Sequence, residues 1–203
     1  MSTVLELRES SPPLDIAQDV AQDVAMELLR SRRTIHDFTT QEPPAGLIEE
    51  ALEVARWAPN HHLTQPWRFY LVGAETREAI ARLNGDMVAG KKGAQAGEAK
   101  YERWRNIPGW LVVTCENHDD PIRAKEDYAA TCCAIHNVAL FLWSRGLGVK
   151  WTTGAVTRTA QFYDLLWIDE AVESVVGLVW YGYAEHVPVT ARKAVSEVLV
   201  KLP

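Results

Sequence analysis

The chain has 203 residues, of which 47% are hydrophobic and 24% are charged, the proportions of an ordinary soluble globular protein. Its formal net charge of −6 argues against a nucleic-acid surface, because such surfaces are basic. Three cysteines, two of them adjacent at Cys132 and Cys133, do not form a disulfide framework. Reduced thiols predict a cytoplasmic protein, and we find neither a signal peptide nor an apolar run of membrane-spanning length.

The N-terminal part is predicted to contain a flexible arm followed by a helix. Residues 1–14 include Ser-Ser-Pro-Pro and form the arm, and residues 15–203 form a single domain. A helix from Asp15 to about Ser31 is predicted by apolar residues that recur every fourth position. These are Ile16, Val20, Val24 and Leu28.

Arginines cluster where this helix ends. Cations are favoured at a helix C-terminus, which alone would explain Arg32 and Arg33. However, Thr34 follows them, and Ile35 and Phe38 have the character of anchors for a short ordered segment. Donors held in this way can converge on a phosphate group.

The stretch from Arg56 to Phe69 is unusual for a loop, since it holds two tryptophans, two prolines, two histidines and two arginines. It follows a helix that begins at Leu47 and stops before Pro59, and it leads into a strand over 68–72. The aromatic rings and amide donors of this stretch indicate a surface that binds a flat molecule with polar edges. Simple core packing of Trp57 and Trp67 is the alternative.

The middle of the chain is less informative. We predict a helix over 75–83, a mobile glycine-containing segment over 85–97, and a strand over 110–115. A helix then opens at Glu126 or Asp127 and runs to Ser144, and its residues are apolar almost all round, so it is predicted to be buried. His136 within it is interpreted as a satisfied core polar group.

The last third supplies two strands and a tail. A short strand over 148–153 ends in Thr-Thr-Gly, a helix covers 160–167, and a strongly apolar strand covers 175–183. The tail that follows has apolar residues without a local partner, so we expect it to pack on another subunit. The order of elements predicts one mixed α/β or α+β domain.

Standard catalytic motifs are absent from the sequence. It has no dinucleotide-binding Gly-x-Gly-x-x-Gly after a strand, no Walker loop, no Gly-x-Ser-x-Gly and no His-Glu-x-x-His. We predict no metal site, because the side chains of His61 and His62 should diverge in a turn. Cys132 and Cys133 lie in an apolar helix, where thiols are inert. An enzyme of this kind would depend on an organic cofactor.

Four segments, taken in order, resemble the flavin-dependent nitroreductase family. Residues 31–38 resemble its Arg-Arg-Ser motif, and 47–69 resemble its helix followed by Ala-Pro and Gln-Pro-Trp-x-Phe. Residues 146–155 resemble the segment after the long buried helix, and 177–193 resemble the last core strand with its basic pair. The short middle region and Ala-Pro-Asn-His are most similar to the compact YdjA-type subgroup.

The resemblance implies a central, mainly antiparallel sheet flanked by helices, in an intertwined homodimer with FMN at the subunit interface. The resemblance gives no side chain a catalytic acid or base role, and the net charge and the lack of a long apolar run predict no nucleic-acid or membrane partner. Near the reduced flavin's N1, a cation such as Arg33 is favourable. The implied FMN contacts are Arg32, Arg33, Thr34, Thr152, Thr153, Gly154 and Arg192 (or Lys193) of one chain, and Trp57, His61 and Gln65 of its partner.

The implied activity is transfer of hydride from NAD(P)H to a nitroaromatic, a quinone or a related conjugated acceptor, with ping-pong kinetics. The sequence departs from the family at His36, where a second Arg is common, and at Leu63, where many members have Asn. Different flavin chemistry on the same fold, such as dehydrogenation, dehalogenation or flavin fragmentation, is an alternative. A flavin-binding dimer without turnover and a cysteine-based redox sensor are two more.

Overall fold

A computed structural model of the chain describes residues 18–203, with side chains described from residue 22 onward. These residues fall into two compact units that divide between Arg32 and Arg33. In the first unit, helix α1 covers Gln18–Ser31 and ends where its apolar repeat predicted. The arm over 1–14 and the helix start at Asp15 lie outside the described residues, and the single domain over 15–203 stays a prediction.

The second unit is built on a four-stranded sheet in the order β1-β2-β4-β3, and each neighbouring pair of strands is antiparallel. Along the chain, helices precede β1 and separate the later strands. The elements are α2 (Leu47–Ala55), β1 (Trp67–Leu71), α3 (Ala74–Lys92), α4 (Ala94–Arg105), β2 (Gly109–Glu116), α5 (Pro121–Ser144), β3 (Gly148–Thr152), α6 (Ala160–Leu166) and β4 (Glu173–Gly182).

Strand β2 lies inside the sheet and is buried along nearly its whole length. Its side chains alternate between two apolar cores, with Leu111 and Val113 in one and Trp110 and Val112 in the other. A strand covered on both faces needs apolar residues at consecutive positions, and this is why the predicted run over 110–115 has no polar alternation.

Helices cover both faces of the sheet. Residues of α2 and α5 belong to the core on one face, and residues of α3, α4 and α6 belong to the core on the other. In the second core the rings of Trp104, Trp110 and Trp180 contact one another at centroid distances of 4.8–5.7 Å. The predicted α+β class with a mainly antiparallel sheet flanked by helices is therefore confirmed.

Helix α5 differs from its predicted form in two respects. It begins at Pro121, because the Asp120 carboxylate accepts a hydrogen bond of 2.9 Å from the Ile122 amide and caps the first turn. The prediction of a start at Glu126 or Asp127 is wrong. The helix is also not buried all round within one chain: Tyr128 is 49% exposed, and His136 is exposed and not a core residue.

The segment over 85–97, predicted to be mobile, is helical, and this prediction is wrong. It spans the end of α3 and the start of α4, joined at Gly93. A Cβ atom on Gly97 would lie 2.7 Å from the backbone oxygen of Gly85 and 2.6 Å from the Ala89 side chain. The glycines therefore permit a close crossing of two helices.

Beyond β4 the chain forms an extended tail with one short 3-10 turn at Val195–Glu197. Its apolar side chains are exposed in the isolated chain, including Val189 and Leu202 at 98% and 84%. Within residues 18–203 no helix combines the length and the hydropathy that a membrane span requires.

Candidate functional site

The segment after Arg33 runs along the free edge of β3. Thr34 forms a parallel bridge with Val149, and the Ile35 amide donates a 3.1 Å hydrogen bond to the Val149 carbonyl. Farther on, Phe38 pairs with Ala184. Ile35 and Phe38 are buried, as predicted for anchors, whereas Thr34 stays exposed between Arg33 and the core. The fold thus presents Thr34 from a fixed backbone.

The Thr-Thr-Gly sequence lies at the end of β3, three residues beyond the bridge to Thr34. Thr152 closes the strand, and the Gly154 carbonyl accepts a 2.9 Å hydrogen bond from the Thr157 hydroxyl. A Cβ atom on Gly154 would meet only the Thr152 hydroxyl, at 3.9 Å, so the backbone here is open to a ligand. The segment at Thr34 and the Thr-Thr-Gly sequence were predicted to belong to one site. Both adjoin strand β3.

A cluster of cations lies beside the same strand and was missed from the sequence. The Lys150 Nζ atom lies 5.0 Å from the Trp180 ring, and the Lys100 Nζ atom lies 5.5 Å from the Trp104 ring. Arg103 donates a 2.7 Å hydrogen bond to Asp37 and one of 3.2 Å to the His36 carbonyl. We call Lys100, Arg103 and Lys150 the cation cluster.

The charges of the cation cluster repel one another. Burial lowers the pKa of Lys100 and of Lys150, and the positive charge of Arg103 lowers both pKa values further. Asp37 acts in the opposite direction on the pKa of Lys150. Three cations beside one carboxylate leave a local positive excess, so an anionic ligand would be favoured here.

The loop over 56–67 forms a second candidate surface. Trp57 follows α2 and is 77% exposed, which is unusual for a tryptophan. It lines an open cavity of about 330 Å³ together with Asn60, Leu63, Gln65 and Trp67. The alternative of core packing applies to Trp67, which packs against the core, whereas Trp57 faces outward. The surface for a flat molecule stays a prediction.

The two candidate surfaces lie at opposite edges of the sheet. The loop over 56–67 leads into β1, whereas the segment at Thr34 and the Thr-Thr-Gly sequence adjoin β3. Three strand spacings of roughly 4.8 Å separate these edges by about 14 Å. A single chain therefore does not bring Trp57, His61 and Gln65 against Thr34 and Thr152.

Two predicted phosphate contacts stand apart from the rest. Arg32 ends the first compact unit, where its amide contacts the Leu28 carbonyl at 3.4 Å. Arg192 lies on the exposed tail and contacts its neighbours Thr190 and Ala191, each at 3.2 Å. Their roles as FMN contacts stay predictions.

The histidine pair differs from the expectation. The rings of His61 and His62 lie 3.9 Å apart between centroids and do not diverge, because His62 has a left-handed backbone with φ of 60°. Among residues 18–203, the His, Cys, Asp and Glu side chains nowhere form a group of three or more suited to a metal ion.

The nitroreductase family model matches residues 29–183, and the chain therefore belongs to the nitroreductase family. Among its relatives, YfhC of Bacillus subtilis is 28% identical over 171 residues, which cover 82% of this chain and 88% of that protein. YdjA of Escherichia coli K12 is 27% identical over 165 residues, 78% of this chain and 87% of that protein. Both bear the name of an NAD(P)H nitroreductase, and the predicted resemblance to YdjA is confirmed.

Solved structures agree. A nitroreductase-like family protein from Bacillus cereus superposes with a TM-score of 0.77 at 28% identity, over 87% of this chain and 95% of that one. A Desulfovibrio desulfuricans protein with a nitroreductase name, solved in complex with FMN, superposes with a TM-score of 0.68 at 21% identity, over 88% and 96%. The second likeness establishes the shared fold.

Proposed function

We propose that the protein is an FMN-dependent oxidoreductase that takes hydride from NAD(P)H and reduces a nitroaromatic, a quinone or a related conjugated acceptor. The observation that carries the proposal is the cation cluster beside Thr34 and the Thr-Thr-Gly sequence. FMN combines a dianionic phosphate with a flat ring that becomes more negative on reduction. Fixed cations and open backbone amides next to one strand suit both properties.

The residues divide by the part of FMN that they would hold. Arg33 and Thr34 would bind the phosphate, with Arg32 and Arg192 or Lys193 as further cations. Thr152, Thr153 and Gly154 would approach the ring or the phosphate through backbone and hydroxyl groups. The cation cluster would stabilise negative charge on the ring. Its cations also supply positive charge near His36, the position where a second Arg is common in the family.

When bound, FMN supplies hydride transfer from NAD(P)H to the acceptor. The chain would bind and orient the substrates, and no side chain needs to act as acid or base. Because donor and acceptor would use the same face in turn, we expect ping-pong kinetics. The names of YfhC and YdjA support NAD(P)H as the electron source.

The site would be shared between two copies of the chain. Trp57, His61 and Gln65 lie at the edge of the sheet opposite to Thr34, so they would contact the FMN held by a second copy. The exposed apolar residues of the tail, such as Val189 and Leu202, are suited to the intertwined homodimer that the family resemblance implies. A two-fold dimer would then hold two equivalent sites.

A cysteine-based redox sensor has less support. Burial raises the pKa of Cys132 and of Cys115, which lowers the thiolate fraction that such a sensor requires. Different flavin chemistry on the same fold and a flavin-binding dimer without turnover both share the proposed cofactor. Measurements of activity separate these two from the proposed reductase.

The test begins with the purified protein. Flavin absorbance, present on purification or after addition of FMN, is expected, and its absence in both cases would contradict the proposal. Anaerobic bleaching by NADH or NADPH then distinguishes an enzyme from a flavin-binding dimer. Reoxidation by a nitroaromatic or a quinone, compared with an iodinated phenol as a dehalogenation substrate, separates reductase chemistry from dehalogenation on the same fold.

A further inference from the structure

The loop that carries His61 and Gln65 has a strained backbone. His62, Leu63 and Gln65 have φ values of 60°, 52° and 48°, in the left-handed region that side chains rarely adopt. None of them is glycine. Such conformations persist only where surrounding contacts hold them, and they cluster at functional sites.

A chain of hydrogen bonds fixes this loop to α5. The Thr64 hydroxyl donates a 2.5 Å hydrogen bond to Oδ1 of Asp127, a carboxylate that is only 4% exposed. The Asn60 side-chain amide donates to the Thr64 hydroxyl oxygen at 2.9 Å. The Gln65 backbone N–H then donates to the Asn60 side-chain carbonyl oxygen at 2.6 Å. The strained residues lie between or beside these partners.

The Asp127 carboxylate sets the donor-to-acceptor direction of this series of hydrogen bonds. A carboxylate offers acceptors only, so the single hydroxyl proton of Thr64 must point toward Asp127. The Thr64 oxygen then has lone pairs left to accept from the Asn60 amide, and this turns the Asn60 carbonyl oxygen toward the Gln65 N–H. The Asn60 amide nitrogen also donates a 3.4 Å hydrogen bond to the His61 carbonyl oxygen, so each donor of this network has an acceptor.

The second carboxylate oxygen is engaged elsewhere. Oδ2 of Asp127 lies 3.9 Å from Nε of Arg123, the distance of an ion pair without a direct hydrogen bond. The backbone carbonyl of Asp127 accepts a 2.9 Å hydrogen bond from the Thr131 hydroxyl within α5. Oδ1 is therefore the oxygen that faces the loop.

We propose that Asp127 is a positioning residue that acts through Thr64 and Asn60 to hold His61 and Gln65 in the conformation that contacts FMN. The proposal rests on the proposed function. Asp127 is buried beneath the loop, so its role toward FMN would be indirect. It selects one direction of the hydrogen-bond chain, and so one backbone conformation of the loop, before any ligand binds.

Four variants test this role. Asp127→Asn can place an NH₂ group toward Thr64 and allow the chain to reverse, which removes the acceptor of the Gln65 N–H. Thr64→Val interrupts the chain, whereas Thr64→Ser retains the hydroxyl. Thr131→Val is the matched control, because it removes a buried hydroxyl that contacts Asp127 but does not contact the loop.

The test has three readouts for each variant. They are the FMN dissociation constant from flavin fluorescence, the thermal unfolding midpoint, and the hydrogen-exchange rate of the Gln65 amide without FMN. Asp127→Asn and Thr64→Val are expected to weaken FMN binding about tenfold, equivalent to roughly 1.4 kcal/mol. The Gln65 amide should exchange faster in both variants. Thr64→Ser should bind FMN within about threefold of the wild type, and Thr131→Val should lower the midpoint without changing FMN affinity.

Unchanged FMN affinity in Asp127→Asn and Thr64→Val would overturn the positioning role while the wild type still bound FMN. Equal losses in Thr64→Val, Thr64→Ser and Thr131→Val would also overturn it, since a general loss of stability would then be the cause. A wild type that bound no FMN would instead overturn the proposed function, and the role toward FMN with it.

Discussion

Gly148 lies directly against Ile35, and the contact leaves no room for a side chain on the glycine. A Cβ atom there would come within 2.2 Å of Cγ1 and 2.8 Å of Cβ of Ile35. Ile35 is fully buried and belongs to the segment that carries Thr34 along β3. Gly148 on the strand therefore sets how closely this segment approaches the sheet.

Gly148→Ala is expected to push Ile35 outward and lower the free energy of unfolding by about 1–3 kcal/mol, the usual cost of overpacking. FMN affinity should fall with it, because Thr34 moves with Ile35. Chemical denaturation and flavin titration measure the two effects. Gly73→Ala serves as control, since a Cβ on Gly73 meets nothing within 4 Å. Wild-type stability in Gly148→Ala would show that the segment is not held by this contact.

In the crossing helices α3 and α4, replacement of two different glycines by alanine should change the stability in opposite directions. Gly97→Ala should destabilise the protein by about 1–3 kcal/mol, because the new Cβ meets the Gly85 backbone oxygen at 2.7 Å. Gly90→Ala should stabilise it by about 0.5–1 kcal/mol, because Gly90 lies within α3 with open space around it. Thermal unfolding of both variants measures the difference. Equal shifts would contradict the close crossing.

Lys150→Met is expected to stabilise the FMN-free protein and to weaken FMN binding. Burial and the charges of Arg103 and Lys100 lower the pKa of Lys150, so its protonated form is disfavoured in the folded state. Removal of the charge should raise the unfolding midpoint on the order of 1–2 °C. It should weaken FMN binding by about fivefold, as for a charge contact of roughly 1 kcal/mol.

The same lowered pKa predicts a pH dependence. Between the folded-state pKa of Lys150 and the unfolded value of 10.5, the unfolded chain binds more protons, so stability contributed by this group rises with pH. Lys150→Met should lack that part of the rise, whereas a substitution of the exposed Lys125 should retain it. Identical pH profiles in the three proteins would rule out strain in the cation cluster.

Subunit mixing tests the proposal that two copies of the chain share each FMN site. Arg33→Ala and Trp57→Ala homodimers should each bind FMN weakly, because each lacks one side of both sites. In a mixed dimer both changes fall in one site and the second site is intact. After unfolding and refolding an equimolar mixture, about a quarter of all sites should regain tight binding. If FMN titration of the mixture detected no tight sites, the proposal that two chains contribute to each site would be contradicted.

Sequence patterns predicted the elements whose residues repeat with a regular period. The apolar stripe of α2, the run in β2 and the anchors Ile35 and Phe38 all lie where the patterns placed them. The segment over 85–97 was predicted to be mobile because of its glycines. A glycine that ends a helix and one that lets two helices cross look the same in sequence. Only the contact between Gly85 and Gly97 distinguishes them.

The candidate site was predicted where motifs are continuous and missed where they are not. Thr34 and the Thr-Thr-Gly sequence stand in recognisable segments, and the fold places them along one strand. Lys100 and Lys150 are far apart in the chain and have no local pattern in common. Asp127 was assigned to a helix start, since a carboxylate there needs no tertiary partner, yet the fold buries it beneath Thr64.

The pairing of Thr34 and Ile35 with Val149 also has a consequence for solubility. Strand β3 is at the edge of the sheet, and an unpaired edge offers free amides and carbonyls to the strands of other molecules. The 33–38 segment covers part of that edge. Variants that release the segment should therefore self-associate through β3 on warming, so that aggregation precedes global unfolding and the damaged protein is lost as precipitate.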